Sequence, residues 1–339
     1  MTQQHAAIGD LYYGIPAIRL KFGRYEAVAL PGNGANLISF RDNETGYSFL
    51  REPDAESIEA FKQSPSVYGI PFLFPPNRYE DGKFLWNGVT YELPINEEAT
   101  HNHLHGFLHT VRWEVEDYGS GEQGSYVVMN QHVREGHPMF RYLPFTFTMK
   151  LTYSLDEFGL HQRYVIHNEG DQPIPNLFAF HTAIRVPFVP DSSPEDYKIK
   201  VTIGERRELT ERLLATGQFQ PLSPEEELLK TTGVSPYFAS MDNHYTAAPQ
   251  NGRNYMELTH SKTGATLVYD VGTAYKHWMI WNNKANKEFV CPEPQMNMIN
   301  APNRPDLPAE EIGLIALAPG HIFEATSRLY CITPNKSKS

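Results

Sequence analysis

The stretch Phe145-Thr-Phe-Thr-Met-Lys-Leu-Thr-Tyr-Ser-Leu155 has an apolar residue at every odd position and a polar residue at every even position. Successive side chains of a β-strand point to opposite faces, so this period of two predicts a strand with one buried face. Residues 156–159 supply a turn, and Leu160–His167 form a return strand, which residues 168–171 end. The clearest local signal in the chain is therefore a pair of antiparallel strands.

Further turns and strands extend this pattern along the chain. Asp81-Gly82 and Asn87-Gly88 are two-residue hairpin turns, whose residues must accept positive φ. They bracket a strand at Lys83–Trp86, and Val89–Leu93 follows it, which predicts a β-meander. Other strands are expected at Ala27–Leu30, Leu37–Phe40, Trp113–Asp117, Tyr126–Val133, Lys198–Ile203, Ala265–Asp270, His277–Trp281 and Ile322–Ile332.

Helical signals are few and short. Ser223, followed by a proline and two glutamates, predicts a helix of about two turns that ends near Lys230. A second short helix is expected at Asp54–Lys62, and residues 205–214 fit either a helix or a charged edge strand with a loop. We therefore predict an all-β protein, a large antiparallel β-sandwich with a few short helices. It is expected to form one domain over residues 1–334, with a disordered tail at 335–339.

Composition excludes several classes of protein. The 339 residues include 40 acidic and 29 basic side chains, and the net charge of −11 argues against a nucleic-acid partner. The longest apolar run, Leu314–Ala318, is far shorter than the roughly 20 residues that a membrane-spanning helix needs. No secretory signal is visible at the start, and Cys291 and Cys331 are too few for a disulfide-stapled fold. We expect a cytoplasmic protein without a membrane partner, either a monomer or a homodimer.

Four of the 14 histidines lie within His101-Asn-His-Leu-His-Gly-Phe-Leu-His109. On a strand, His101, His103 and His105 would share one face, which is a plausible metal-binding arrangement. The cupin motif also contains His-x-His, but a Glu follows there, where this chain has His109 and Thr110. The alternative is proton transfer or hydrogen bonding by one of these histidines, with the others as surface neighbours.

Three other segments contain residues suited to chemistry. The arginine of Pro75-Pro-Asn-Arg-Tyr79 offers a rigid fork of donors for hydroxyl or carboxylate oxygens. His181 lies in an apolar run, where it fits a core histidine as well as a functional one. Glu293, in Phe289-Val-Cys-Pro-Glu-Pro-Gln295, lies between two prolines that would hold its carboxylate in place. A rigid Glu paired with a His supplies a base and an acid near neutral pH.

The order and spacing of these segments resemble the aldose 1-epimerase (galactose mutarotase-like) family over most of the chain. The matching segments are Gly34-Ala-Asn-Leu-Ile-Ser39, Asn77-Arg78, Gly82-Lys-Phe-Leu-Trp-Asn-Gly-Val-Thr-Tyr91, Leu104-His-Gly106, His181, Cys291-Pro-Glu-Pro-Gln295 and Leu317-Ala-Pro-Gly320. A lone His-Gly is a weak signal, but the ordered set is a strong one.

The resemblance implies a β-supersandwich with a shallow sugar groove on one sheet. It implies interconversion of α and β anomers without a metal, a nucleotide or a covalent intermediate, so no cofactor is expected. By match to the motifs, Glu293 is the expected general base and His181 the expected general acid. The expected sugar contacts are His105, Arg78, Asn77 and Asp242, the last within Met241-Asp-Asn-His244.

Two departures from the family pattern lie near the expected sugar and bear on which sugar is used. Phe107 replaces the second glycine of Leu-His-Gly-Gly, and His277-Trp-Met-Ile-Trp-Asn282 replaces a Gln and aromatics. Trp278 and Trp281 each fit either a core residue or an aromatic face for the sugar. His-Gly-Phe also occurs in related sugar-phosphate mutarotases, although no basic cluster for a phosphate is evident here.

Ring opening requires the anomeric hydroxyl to lose a proton while the ring oxygen gains one. We expect Glu293 to accept the first proton and protonated His181 to donate the second. Activity at neutral pH then requires the pKa of His181 to be raised, by Asp242 or by Glu293 itself. The competing functions are a sugar-phosphate mutarotase, a sugar-binding module without turnover, and a cupin-like metal enzyme that uses His101, His103 and His105.

Overall fold

The computed structural model describes residues 5–334, so the predicted tail at 335–339 lies outside the described residues. The described part of the chain is mainly β-strand, which confirms the all-β prediction. The first strands are β1 His5–Tyr12, β2 Ile15–Phe22, β3 Tyr25–Leu30, β4 Asn36–Asp42, β5 Tyr47–Ser48, β6 Phe72–Leu73, β7 Arg78–Glu80, β8 Lys83–Trp86, β9 Val89–Glu92, β10 Asn102–Leu104, β11 Glu114–Gly121, β12 Gly124–Val133, β13 Phe147–Asp156 and β14 Gly159–Asn168. The remaining strands are β15 Ile174–Asn176, β16 Ala179–Phe180, β17 Ile184–Arg185, β18 Tyr197–Val201, β19 Ile203–Leu209, β20 Ala215–Gln220, β21 Asp242–Ala247, β22 Tyr255–His260, β23 Thr266–Asp270, β24 His277–Trp281, β25 Phe289–Gln295, β26 Ile315–Leu317 and β27 Ile322–Ile332. The two α-helices are α1 Ile58–Gln63 and α2 Pro224–Lys230.

Two large antiparallel sheets form the sandwich. The first large sheet has the strand order β11-β12-β13-β14-β27-β23-β22-β18. The second large sheet has the order β20-β19-β21-β24-β25-β16-β6, with β17 also paired to β25. A five-stranded sheet of β1 to β5 contacts β11, β12 and β13 at one side.

Buried aromatic side chains join the two large sheets. On β13, Phe147, Met149, Leu151, Tyr153 and Leu155 are all fully buried, as the period of two predicted. On the neighbouring strand β14, the ring of Tyr164 lies 5.2 Å from Phe72 of the second large sheet and 4.0 Å from Phe178. Burial of such rings is the main favourable term in holding two sheets face to face.

The predicted hairpin turn at Asn87-Gly88 is confirmed, whereas Asp81-Gly82 forms a turn that joins no hairpin, so the predicted meander is wrong. Asp81, Gly82, Asn87 and Gly88 all have positive φ, between 48° and 77°. Strand β8 pairs with β9 as expected. Strand β7 instead pairs with β10, with Arg78 opposite Leu104, and this brings the Asn-Arg segment beside the histidine cluster.

The short helices follow their capping signals. The Ser223 hydroxyl accepts from the Glu226 N–H, and the Glu226 carboxylate accepts from the Ser223 N–H at 2.8 Å, which closes the predicted capping box of α2. Helix α1 starts at Ile58, later than predicted, because the Asp54 carboxylate accepts from the backbone N–H groups of residues 56 and 57 and holds them in a turn.

The strand predicted at Lys198–Ile203 is split in the structure. Strand β18 belongs to the first large sheet and β19 to the second, so the chain crosses between sheets at Thr202. There the Thr202 hydroxyl bonds to Asn254 and to the Tyr255 carbonyl, which satisfies polar groups at a buried crossing. The ambiguous 205–214 segment is therefore strand followed by a turn.

Two absences within residues 5–334 complete the description. Cys291 and Cys331 are both buried and free of a disulfide bond. No helix in the described part of the chain has the length and apolar character needed to cross a membrane.

Candidate active site

The floor of the candidate site is one face of the second large sheet. Asp242 of β21 pairs with Trp281 of β24, and Met279 of β24 pairs with Glu293 of β25. Because side chains alternate along a strand, these four side chains project from the same face. The register of three adjacent strands therefore brings together residues that are up to 51 positions apart in sequence.

His181 lies beside Glu293 in the same layer. Strand β16 pairs Ala179 with Gln295, so His181, two residues further along, comes opposite Glu293. The His181 Nε2 atom lies 3.3 Å from Glu293 Oε1, and the two side chains are only 6% and 2% exposed. The other carboxylate oxygen of Glu293, Oε2, accepts a hydrogen bond from Gln295 Nε2 at 3.4 Å.

The prolines that flank Glu293 fit an interruption in the sheet. Strand β25 is buried over its whole length and pairs continuously with β24. On its other side it pairs with β17 at Val290 and with β16 at Gln295, without ladder pairs between. Prolines cannot donate to a ladder, so this gap accommodates Pro292 and Pro294 in a central strand.

Two loops contribute another wall of the site. Asn77 and His105 both have left-handed backbone, with φ of 59° and 65°, and the His105 N–H donates to the Asn77 carbonyl at 2.9 Å. Gly106 packs so tightly that a Cβ there would overlap the carbonyl oxygen of Phe74. The Leu-His-Gly signal thus has a structural cause, because only glycine allows this close approach at positive φ.

These elements enclose a cleft of about 190 Å³. All six residues that the sequence singled out line it: Asn77, Arg78, His105, His181, Asp242 and Glu293. The cleft is completed by Ser66, Val67, Leu104, Met279 and Trp281. The His105 ring stands almost perpendicular to the His181 ring, with centroids 5.2 Å apart. Donors and acceptors thus surround the Glu293–His181 pair.

Sequence reasoning missed Glu97, which binds the arginine of the site. Its carboxylate accepts from Arg78 Nε at 3.0 Å and from Arg78 Nη2 at 3.0 Å. Arg78 Nη2 also lies 3.5 Å from Asp242 Oδ2. Burial acts to raise the pKa of Glu97, but its contacts with Arg78 and Thr100 outweigh burial and hold the pKa below its usual value. No local motif marks Glu97, because its partner lies 19 residues away.

Burial sets the protonation of the Glu293–His181 pair. Burial raises the pKa of Glu293 well above its ordinary value, and the Asp242 carboxylate raises it further. Burial lowers the pKa of His181 to about 4. The expectation that a carboxylate raises the pKa of His181 is therefore wrong, because burial disfavours the charged form of both groups. Between the two pKa values the pair holds one proton.

Burial also disfavours the charged forms of the titratable side chains around the pair. Burial lowers the pKa of His105 well below its ordinary value and that of His109 to about 4. Burial also raises the pKa of Asp242, although Arg78 opposes the shift. The histidines of this wall are therefore neutral near pH 7, and each offers one donor and one acceptor.

The histidine cluster does not form the comb that the sequence allowed. Strand β10 covers only residues 102–104, and both His101 and His105 have positive φ. His101 is exposed and lies 3.0 Å from Asp81, whereas His103 is buried and its Nδ1 lies 2.7 Å from the Pro94 carbonyl. Within residues 5–334, no three His, Cys, Asp or Glu side chains are grouped so that they could hold a metal ion.

Of the two segments that depart from the family pattern, only one contributes a side chain to the cleft. Phe107 does not line the cleft, and its ring stacks on Tyr142 at 5.1 Å. In the second departure Trp281 lines the cleft, 5.8 Å from the His181 ring. Trp278 points into the core, where its indole N–H donates to Asn254 at 2.8 Å.

Comparison with solved structures defines the fold as that of the galactose mutarotase-like proteins. A galactose mutarotase-like protein from Clostridium acetobutylicum is 28% identical with a TM-score of 0.93, covering 98% of this chain and 99% of that one. A galactose mutarotase-like protein from Lactobacillus casei is 17% identical with a TM-score of 0.70, over 93% and 100% of the two chains. Galactose 1-epimerase from Lactobacillus acidophilus is 14% identical with a TM-score of 0.71, over 98% and 100%. The chain belongs to the aldose 1-epimerase family, whose model matches residues 16–330.

Proposed function

We propose that this protein is an aldose 1-epimerase that interconverts the α and β anomers of a free aldose. The observation that carries the proposal is the buried Glu293–His181 pair, 3.3 Å apart, on the floor of a cleft lined by hydrogen-bonding side chains. Two titratable groups whose pKa values are shifted in opposite directions are the usual arrangement for acid–base work. The family assignment supports the same reaction class.

The reaction needs one proton acceptor and one proton donor at adjacent oxygens. Burial favours the pair's proton on Glu293, so the reactive form is the one in which that proton has moved across the 3.3 Å contact to His181. In that form Glu293 accepts the proton of the anomeric hydroxyl while His181 donates to the ring oxygen, and the C1–O5 bond opens. Rotation about C1–C2 presents the other carbonyl face, and ring closure reverses both transfers. One proton is conserved throughout, so the chain's own side chains suffice for the chemistry.

The remaining lining residues would hold the sugar. Arg78 and His105 are placed to donate to the ring oxygen and hydroxyls, Asp242 to accept from hydroxyls, and Asn77 to do either. Trp281 offers an aromatic ring at the edge of the cleft. A volume of about 190 Å³ suits one sugar ring and is below the roughly 300–1,000 Å³ of pockets for larger ligands.

The charges of the cleft favour an unphosphorylated sugar over a sugar phosphate. Arg78 is the permanently charged cation among the described lining residues, and Glu97 and Asp242 already contact it. A phosphate would also face the carboxyl groups of Asp242 and Glu293. The small-molecule partner that we propose is therefore a neutral aldose.

Polarimetry of freshly dissolved α-anomers, over a panel of hexoses, pentoses and hexose 6-phosphates, tests the proposal. We expect the protein to accelerate the approach to equilibrium for at least one free aldose in proportion to its concentration. Saturable sugar binding without acceleration would instead show a carbohydrate-binding protein. Acceleration confined to the phosphates would contradict the free-aldose assignment.

A further inference from the structure

Arg78 is held in the cleft by contacts that use only part of its guanidinium group. Its Nε and Nη2 atoms donate to Glu97, and Nη2 also reaches Asp242. Among the described residues, none accepts a hydrogen bond from Nη1. Because the guanidinium is planar and rigid, fixing two nitrogens also fixes the direction of the third. Nη1 is therefore the nitrogen left for a ligand in the cleft.

Glu97 is itself held by further hydrogen bonds besides those from Arg78. The Thr100 hydroxyl donates to Glu97 Oε2, and the Asn102 amide donates to the same oxygen at 3.3 Å. Asn102 in turn donates to the carbonyl of Arg212, whose guanidinium bonds back to the Thr100 carbonyl at 2.8 Å. Glu97 thus has a defined position before any sugar binds.

The same contact cancels the charge of the arginine. Glu97 is ionised, so the Arg78–Glu97 pair is neutral as a whole, although its Nη1 hydrogens remain directed donors. The other carboxyl groups of the cleft belong to Asp242 and Glu293. An anionic ligand would therefore meet acidic groups without an uncompensated cation to offset them.

We propose that Glu97 is a positioning and specificity-determining residue. It aims Arg78 Nη1 at the sugar and, by neutralising the guanidinium charge, makes the cleft select neutral sugars over phosphorylated ones. Its role in turnover rests on the proposed function, whereas its effect on anion binding does not. Glu97 acts through Arg78 and contacts no substrate atom in this arrangement.

Three variants separate position from charge. Glu97→Gln keeps the shape and removes the charge, while Glu97→Asp keeps the charge and withdraws the carboxylate by one methylene. Glu98→Gln is the matched control, because Glu98 is the adjacent residue, is exposed and has no described contact with Arg78. Each variant is assayed for mutarotation of the preferred free aldose and for binding of inorganic phosphate by calorimetry.

We expect Glu97→Gln to bind phosphate at least about tenfold more tightly than wild type and to show competitive inhibition by it. We expect Glu97→Asp to lose about 10²-fold in kcat/KM, because small misplacements of a positioning group have effects of that size, without gaining phosphate affinity. Glu98→Gln should match wild type in both assays.

Phosphate affinity of Glu97→Gln equal to that of Glu98→Gln would overturn the proposal, as would unchanged kinetics in Glu97→Asp. If Glu97→Gln does not fold by circular dichroism, the kinetics of Glu97→Asp decide alone. If the wild type accelerates no aldose, the proposed function fails, and the phosphate measurement still decides the charge role of Glu97.

Discussion

The pH profile of mutarotation tests how burial distributes the proton of the Glu293–His181 pair. In the proposed mechanism the pair is active while it holds one proton. As pH falls through the lowered pKa of His181, about 4, both groups become protonated and the base is lost. As pH rises through the raised pKa of Glu293, both groups become deprotonated and the acid is lost. The acid limb of kcat/KM therefore belongs to the histidine and the alkaline limb to the glutamate.

The acid limb is displaced far enough from the pKa of an ordinary histidine for the experiment to decide between them. An ordinary histidine titrates at about 6.5, so an acid limb near 4 lies about 2.5 pH units lower. At pH 5 the wild type should retain about nine tenths of its plateau rate, since a group with a pKa of 4 is then about one tenth protonated. The limbs are properties of the coupled pair, so each is assigned by removing one member.

The assay is the initial rate of optical rotation change against pH, corrected for buffer catalysis, for wild type, His181→Asn and Glu293→Gln. We expect each variant to lose about 10²- to 10⁴-fold in rate. In His181→Asn the remaining base, Glu293, works only when ionised, so the residual rate should rise with pH through the raised pKa of Glu293. In Glu293→Gln the remaining acid, His181, works only when protonated, so the residual rate should fall as pH rises through about 4. Circular dichroism at each pH controls for acid unfolding. A residual rate in His181→Asn that falls as pH rises would refute the reasoning.

Three further predictions concern the metal, the close-packed glycine and the two tryptophans. Exhaustive chelation should leave kcat/KM unchanged, because side-chain acid–base chemistry suffices; an equimolar metal ion lost together with activity, seen by elemental analysis, would contradict this. Gly106→Ala should lower the free energy of unfolding by about 3 kcal/mol in urea titrations, because its Cβ overlaps the Phe74 carbonyl at positive φ; a loss under 0.5 kcal/mol would show that the loop relaxes freely. Trp281→Phe should raise KM, whereas Trp278→Phe should leave KM unchanged and cost about 1–3 kcal/mol of stability, because it removes one of the two donors to the Asn254 oxygen and leaves a smaller side chain in the core. Equal KM values for the two variants would remove Trp281 from the sugar site.

Much of the fold could be predicted because half-buried strands carry their own pattern. The alternation of β13 is local, and β24 and β27 have the predicted bounds. Strand β2, which contains Pro16, was not predicted, because proline argues against a strand interior. In β25 only the apolar part before the two prolines suggested a strand, for the same reason. In β25 the missing N–H groups lie where the ladder to β16 and β17 is interrupted, which depends on strands remote in sequence.

Motifs were enough to select the candidate residues that line the cleft, but not to predict their electrostatics. Burial decides the pKa directions of His181 and Glu293, and burial is a property of the packed sandwich. Glu97 was missed for a related reason, since its role depends on the pairing of β7 with β10, which brings residues 97–104 beside Arg78. The prediction of one domain over residues 1–334 stays a prediction.

The most direct test of the central claim is exchange between the two anomeric proton signals of an aldose at equilibrium, followed by NMR saturation transfer. The samples are wild type, Glu293→Gln and the matched control Glu288→Gln, whose side chain is 64% exposed and lies just before the same strand. The account predicts fast α–β exchange with wild type and with Glu288→Gln, and a loss of about 10²- to 10⁴-fold with Glu293→Gln. Exchange with Glu293→Gln as fast as with Glu288→Gln would contradict it.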